Sequence, residues 1–366
     1  MKNILLLLLF CVLISCKNEK SSNTYSYNLK ASEIIKSFVL DSDVKYNAFY
    51  LYTFSDDKGK EYLTFLNYRT NQILFYDLET TDFLFKLNLN SEGPHGVVQP
   101  TGLYVKDLNH IYVSSYVYSG LMRVDTTCHI IQKIPYGITS KGYNVLPSYT
   151  PSSHPYIAPV IIDKKIYITQ NAIDRFHPIV DTPLSVVIDT VQKSCEDLPL
   201  TYGILTEKEL AIKDPRFSRV FNGKEFIYSF YVSEDIVVTS VDHSEVKKIS
   251  VKSKYLDSPI VKQEVSERGP QLNLELARYG DLIYDPYREV YYRFVYPKTT
   301  LEDNIRWWGK SVYGRKKFSV IILNKDFQII GETLFPESIY NSYVFFVHKD
   351  GLYISRDYQM IYGQSE

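Results

Sequence analysis

Apolar residues in this chain fall in short runs of about four to eight, separated by polar turns, and they alternate rather than recur at helical spacing. Runs of that length, rich in Val, Ile, Tyr and Phe and bounded by Gly, Asn, Asp and Lys, predict β-strands. One pattern returns along the body: a polar turn, then a strand centred on Tyr or Phe. It reads GKEYLTF (Gly59–Phe65), LNHIYVS (Leu108–Ser114), DKKIYIT (Asp163–Thr169), GKEFIYSF (Gly223–Phe230), YREVYYRF (Tyr287–Phe294) and KDGLYIS (Lys349–Ser355). Spacings of about 50 to 64 residues fit propeller blades joined by loops of variable length.

A second element follows each of the first five. A β-branched or aromatic run ends in a turn at Asp77, Asp125, Asp189, Asp242 or Asn324, and another strand returns. Short carboxylate and amide side chains accept their own backbone N–H groups at such turns, so these five residues read as turn chemistry. Before each Tyr-centred strand lies a further apolar run: 48–53, 101–105, 158–162, 217–221, 279–284 and 342–347. Each unit then holds four strands, inner to outer, which is a propeller blade. The last unit lacks two strands. Tyr25–Leu29 and Glu33–Leu40 are expected to supply them, giving an all-β, six-bladed β-propeller closed by N-terminal strands with no free sheet edge. Helix is expected only in insertions, from the capping-box pattern Thr206–Glu209 to about Ile212, and over Thr300–Gly309.

The first residues follow a different pattern. Lys2 precedes an almost unbroken apolar run, Ile4–Ile14, then Ser15 and Cys16. That run is too short to span about 30 Å of hydrocarbon, which needs about 20 residues, and it reads as a signal peptide over 1–15. Leu13-Ile14-Ser15-Cys16 resembles a lipobox, which implies cleavage before Cys16 and acylation of that residue. Several acyl chains, at about 0.8 kcal/mol per buried CH₂, hold a protein durably on a membrane. Residues 16–24 are then a polar, lipidated tether, and 25–366 form the propeller domain. Lys17-Asn18-Glu19 partly matches the signal that exports Bacteroidetes lipoproteins to the cell surface, without its usual paired acids. The expected address is the outer membrane, facing the periplasm or, slightly favoured, the cell surface.

Composition narrows the partners. Formal net charge is −1, with 41 Lys and Arg against 42 Asp and Glu, which excludes the basic face a nucleic-acid partner requires. The 33 tyrosines suit half-buried strands first and a sugar- or peptide-binding surface second. Cys11 leaves with the signal and Cys16 carries lipid, so Cys128 and Cys195 remain. They are expected on outer strands of neighbouring blades, unpaired.

The lipobox, the run Glu92–Val97 (EGPHGV) before the second blade, and YDPYREVYYRF at Tyr284–Phe294 resemble the DUF4221 lipoproteins of Bacteroidetes. The resemblance spans essentially the whole chain and implies a TolB-like six-bladed propeller. It implies no activity and no catalytic residues.

No nucleophile elbow, zinc helix, phosphate loop or complete calcium loop is present, and no cofactor or metal is expected. Ser55–Gly59 lacks the alternating ligands of a calcium loop and reads as a hairpin turn. Binding is expected at the rim built by outer-to-inner and second-to-third connections, where five are long: 135–156, 170–183, 199–216, 252–277 and 297–317. Candidate ligand-binding residues are His95 in its glycine turn, Arg175 and His177, and Arg306 beside Trp307 and Trp308. For each the plainer alternative is a solvated turn or loop packing. Arg293, inside a strand, must be paired or reach the channel, and Asp281 and Asp285 are its expected partners. Three functions remain open: a monomeric binding or scaffold module for a glycan, peptide or envelope protein; a hydrolase or lyase assembled at the mouth; and a structural subunit of an envelope complex. Convergence of His95, His154, His177, Arg216 and Arg293 would favour the second.

Overall fold

The second element of each of the first five units becomes a hairpin because the turn between its third and outer strands closes on its own side chain. Asp77, Asp125, Asp189 and Asn324 each accept two backbone N–H groups from residues two to four positions on, and Asp242 accepts that of Ser244. The computed structural model describes residues 27–40, 51–67, 70–115, 117–139, 141–142, 157–170, 179–212, 214, 216–256, 276–299 and 316–356.

The first blade comprises β1 (Leu51–Ser55), β2 (Glu61–Asn67), β3 (Gln72–Asp77) and β4 (Phe83–Asn88). The second holds β5 (Pro100–Asp107), β6 (His110–Ser115), β7 (Gly120–Val124) and β8 (Ile130–Pro135). In the third are β9 (Val160–Ile162), β10 (Lys165–Thr169), β11 (Ser185–Asp189) and β12 (Ser194–Asp197). β13 (Phe217–Phe221), β14 (Phe226–Phe230), β15 (Asp235–Thr239) and β16 (Val246–Ser250) make the fourth. The fifth has β17 (Arg278–Asp285), β18 (Val290–Tyr296), β19 (Phe318–Leu323) and β20 (Ile329–Phe335). All pairings are antiparallel between consecutive strands, as in a β-propeller.

Middle strands are sandwiched between neighbouring sheets and are apolar on both faces: all six residues of β19 are buried, whereas no residue of the outer strand β16 is. Apolar cores fill the seams. Phe54 and Phe75 meet Leu103 and Val105 between the first two blades, and Val220 and Ile236 meet Tyr279 and Leu282 between the fourth and fifth. Each such side chain contributes about 1.5–3 kcal/mol on burial.

Blade number differs from expectation. Among the described residues there are five four-stranded blades rather than six. β21 (Tyr340–His348) and β22 (Gly351–Arg356) form a two-stranded sheet, and β21 touches both β17 and β1. Residues 33–40 add no strand to it. Tyr27 instead makes a single parallel bridge to Gly331 on the outer strand of the fifth blade. Further on, Phe38 and Leu40 pack beside Phe346 against Leu63, Phe65 and Tyr76, and the Tyr76 hydroxyl donates to the Val39 carbonyl at 2.9 Å. The N-terminal segment fills the seam between the two-stranded sheet and the first blade with side chains, without pairing its backbone there. Ile34, Ile35 and Val39 accordingly stay exposed.

The capping box forms as read: Thr206 opens helix α1 (Glu207–Ala211), its hydroxyl accepting from the Glu209 N–H while Glu209 accepts from the Thr206 N–H. The helix expected over 300–309 lies outside the described residues. Cys195 sits on β12 and Cys128 in the turn before β8, and neither is in a disulfide. Among the described residues no helix is long and apolar enough to cross a membrane.

Candidate functional site

Inner strands of a propeller converge on its axis, and here they enclose a cavity of about 530 Å³. Its wall takes Tyr52 and Phe54 from β1, Tyr104 from β5, Ile161 from β9, Phe221 from β13, Tyr284 from β17 and Val347 from β21. Thr53 and Arg219 line it from inner strands, while Ser55 and Glu61 flank the first hairpin, Asn222 lies in the fourth and Tyr287 in the fifth. These last four lie in, or flank, connections between inner and second strands. The cavity therefore reaches the rim opposite to the one expected from loop length, and most of that other rim lies outside the described residues.

Aromatic rings face one another along the wall. Tyr52 meets Tyr104 edge-on at 5.4 Å, and Tyr284 lies 4.9 Å from Tyr291 behind it. Tyr287 donates its hydroxyl to Glu61 in a very short contact joining the fifth blade to the first. Burial and then that carboxylate raise the Tyr287 phenol well above its usual range, so it stays a donor. Asn222 gives its amide N–H to the Tyr291 hydroxyl at 2.8 Å while its carbonyl takes the N–H groups of Lys224 and Glu225, which fixes its orientation. Rings to stack on, a placed carboxylate and an oriented amide are the usual furniture of a small-molecule pocket, and the volume falls within the ~300–1,000 Å³ such sites occupy.

A smaller hollow of about 180 Å³ lies between the second and third blades, lined by Lys106, His110, Arg123 and Lys164 with Asp163. Its mouth is basic, and Tyr112, Ile134, Ile161 and Ile166 also line it.

Among the described residues, those singled out from the sequence are not brought to one site. His95 packs edge-on against His129 at 4.9 Å, and its Nδ1 accepts from the Ile130 N–H at 3.2 Å, at the start of the outer strand β8. Arg293 is fully buried and pairs with neither Asp281 nor Asp285. Its guanidinium donates to Ser229 Oγ and to the carbonyls of Ser233, Glu234 and Val251, and it lies 3.9 Å from the Tyr279 ring centre. Burial drops its pKa to about 10. Its expected partners are engaged elsewhere: Asp285 holds Arg288 at 2.9 Å, and Asp281 accepts from Tyr231 at 2.8 Å. A bulge after Tyr279 turns Asp281 inward, and Gly280 is needed there because a Cβ would stand 2.6 Å from the Tyr296 ring. Arg216 is held by both oxygens of Asp214 at 2.7 Å. Arg175, His177, Arg306, Trp307 and Trp308 lie outside the described residues, as do His154 and Cys16.

Thiol chemistry is disfavoured. Burial raises the Cys128 pKa, and burial with Asp197 and Glu196 nearby pushes Cys195 up to about 11.

Sequence reasoning missed the residues that could hold a metal. Glu79, His348 and Asp350 each offer one possible ligand atom within 4.8 Å of the others. They sit in two hairpins from the two ends of the chain, Glu79 between β3 and β4 and His348 with Asp350 where β21 turns to β22, and only the ring of blades brings them together.

The chain is similar to several solved structures. A DUF4221 member from Bacteroides vulgatus, solved as a crystal structure, is 27% identical, with a TM-score of 0.76 over 87% of this chain and 89% of its own. A candidate exported protein of Bacteroides fragilis is 9% identical, with a TM-score of 0.46 over 84% of this chain and 74% of its own. Hydrazine synthase of Kuenenia stuttgartiensis is 15% identical, with a TM-score of 0.43 over 87% and 77%. Among functionally curated proteins, no sequence matches this chain. The family model described as a domain of unknown function, DUF4221, matches residues 26–334, most of the propeller, and the chain belongs to that family.

Proposed function

We propose that this protein is a lipid-anchored envelope protein whose propeller binds a small polyhydroxylated ligand, such as a sugar, in its central cavity. The observation that carries the reading is the cavity itself: about 530 Å³, walled by Tyr52, Tyr104, Phe221 and Tyr284, with Glu61, Asn222 and Tyr287 at its rim. Aromatic faces take the C–H faces of a sugar ring, while a carboxylate and an amide take its hydroxyls. Binding rather than turnover is favoured because Glu61 is already engaged by Tyr287 and His348, and Tyr287 is committed to Glu61. A lipid at Cys16 and export to the outer membrane are supported by the apolar run Ile4–Ile14 and by Leu13–Cys16. Long connections carrying Arg175, His177, Arg306, Trp307 and Trp308 would then serve the other rim, where a peptide or envelope protein would dock.

The full-length chain in detergent, applied to a glycan array and followed by calorimetry on the hits, tests the reading. Saturable binding lost at least tenfold in Tyr52→Ala, with the fold intact by circular dichroism, is expected. Equal binding by that variant would reject the cavity as the site, and release of a cleaved product would put a hydrolase or lyase in its place.

A further inference from the structure

The seam between the two-stranded sheet and the first blade is built differently from the others. It lacks two strands that would lengthen the packed faces, and it is plugged by Phe38 and Leu40 instead. Across it sits His348, whose side chain is fully buried at the end of β21. Its Nδ1 lies 3.0 Å from Asp350 Oδ2, in the turn to β22. On the other side of the ring, Nε2 lies 3.0 Å from Glu61 Oε2 and 3.6 Å from Glu79 Oε2, both on the first blade.

A neutral imidazole carries one N–H. If Nδ1–H donates to Asp350, the Nε2 lone pair is turned on two carboxylate oxygens, a repulsion that a cation between them relieves. The arrangement matches how metal-binding histidines are held: the far nitrogen donates to a carboxylate that fixes the ring, and the near one faces the ion. Bonds of about 2.1 Å around one ion put neighbouring donor atoms about 3.0–3.4 Å apart, and His348 Nε2 lies 3.0 Å from Glu61 Oε2 and 3.6 Å from Glu79 Oε2. Charge points the same way. Three carboxylates surround one ring, and the lysines that reach Glu79 are the half-exposed Lys349, Nζ 2.9 Å from its Oε2, and Lys36, Nζ 3.2 Å from its main-chain carbonyl. Arg288 is taken by Asp285 and by the carbonyls of His348 and Lys349.

The geometry points to a divalent transition-metal site formed by His348 Nε2, Glu61 and Glu79, with Asp350 orienting the ring, that clamps the two-stranded sheet to the first blade. One imidazole and carboxylates suit zinc or manganese better than calcium, which prefers oxygen alone. Glu61 belongs to both walls, so the clamp and the cavity share one carboxylate, while zinc binding is read with no cavity ligand present.

The test uses the full-length chain in detergent, stripped with chelator, and zinc chloride alone as the probe. Calorimetry should show one equivalent bound at micromolar Kd or tighter, with Tm raised by several degrees. His348→Gln should weaken binding at least a hundredfold and abolish the Tm shift. Should that variant fail to fold, Asp350→Asn reads the outer carboxylate and should weaken binding ten- to a hundredfold. His129→Ala, at the separate His95–His129 pair, should leave the equivalent in place. Absence of saturable zinc binding overturns the proposal. So does zinc binding that survives His348→Gln and Asp350→Asn, or that is lost in His129→Ala.

Discussion

Arg219 Nη1 donates to Ser185 Oγ across 2.8 Å, tying the inner strand of the fourth blade to the third strand of the third. The same guanidinium gives Nη2 to the carbonyls of Ala158 and Tyr167 at 3.0 and 2.9 Å, and it lies 4.9 Å from the Phe226 ring centre. One donor assignment satisfies a chain of groups beyond it. Ser185 donates to the Tyr228 hydroxyl at 2.7 Å, Tyr228 donates to His243 Nε2 at 2.5 Å, and His243 Nδ1–H donates to the Val241 carbonyl at 3.2 Å. Burial lowers the Arg219 pKa, yet no carboxylate is supplied, so the blade seam is held by carbonyl and hydroxyl dipoles.

Removing that guanidinium strands its acceptors in a dry seam. Arg219→Met keeps the volume roughly constant but leaves Ser185 and two carbonyls unmatched, and it should cost about 2–4 kcal/mol. Arg219→Lys keeps the charge but loses the planar fork that reaches three acceptors at once, so it should recover little of this. Urea unfolding of the three proteins measures both. A lysine variant as stable as the wild type would show that charge, and not the fork, holds the seam.

Gly331 faces the Tyr27 carbonyl so closely that a Cβ would stand 2.3 Å from its oxygen. Gly331→Ala should therefore push the N-terminal segment off β20, breaking the Tyr27 N–H bond to the Ile330 carbonyl and the Leu29 N–H bond to Thr333 Oγ1. The loss is local: proteolysis around residues 27–29 should quicken several-fold while Tm falls by no more than about 2 °C. Mass spectrometry of early tryptic and chymotryptic fragments reads the first and calorimetry the second. A global collapse would mean that this segment closes the ring after all.

That segment marks where the sequence stopped being legible. Strand order within each blade could be read because alternation and Asx turns are local: Asp125 and its neighbours close the turn whatever the rest of the chain does. Ring closure could not, because YSYNL and EIIKSFVL carry strand composition while what decides their fate is the shape of a distant seam. There Phe38 finds Tyr76 at 5.6 Å, and side-chain packing outweighs pairing with β22. Arg293 fails in the same way. The demand that a buried guanidinium be satisfied was readable, but Ser233, Glu234 and Val251 offer main-chain carbonyls that no residue type advertises. The cavity residues were visible only as good strand formers, since Tyr52 and Tyr104 stand 52 positions apart in sequence and meet through topology alone.

Both cysteines should be slow to label. With Cys195 pushed up to about 11 from an ordinary value of 9.0, its thiolate fraction near pH 8 falls about a hundredfold. Iodoacetamide should therefore modify Cys195 at least a hundred times more slowly in the native protein than in urea, and Cys128 more slowly too, since burial also raises it. Rapid native labelling of Cys195 would place it in an open, electropositive setting instead.

His243 gives the fold a defined acid sensitivity. It is 1% exposed, in the turn between β15 and β16, and burial followed by the Arg219 charge lowers its pKa to about 4 from 6.5. Between those values the unfolded chain binds a proton that the native protein refuses, so stability is complete above about pH 6.5 and declines as pH falls toward 4. The loss integrates to about 3 kcal/mol at 1.36 kcal/mol per pH unit. Turn carboxylates do not mask it, because Asp77 and Asp125 are shifted down and Asp242 to about 2, below this window. His243→Gln cannot take up that proton in either state. It should be less stable than the wild type at pH 7.5, and the gap should close by about 3 kcal/mol at pH 4, measured by urea unfolding at half-unit steps. A gap that stays constant with pH would mean that His243 titrates alike folded and unfolded, and that the Tyr228 hydroxyl is not donating to its Nε2.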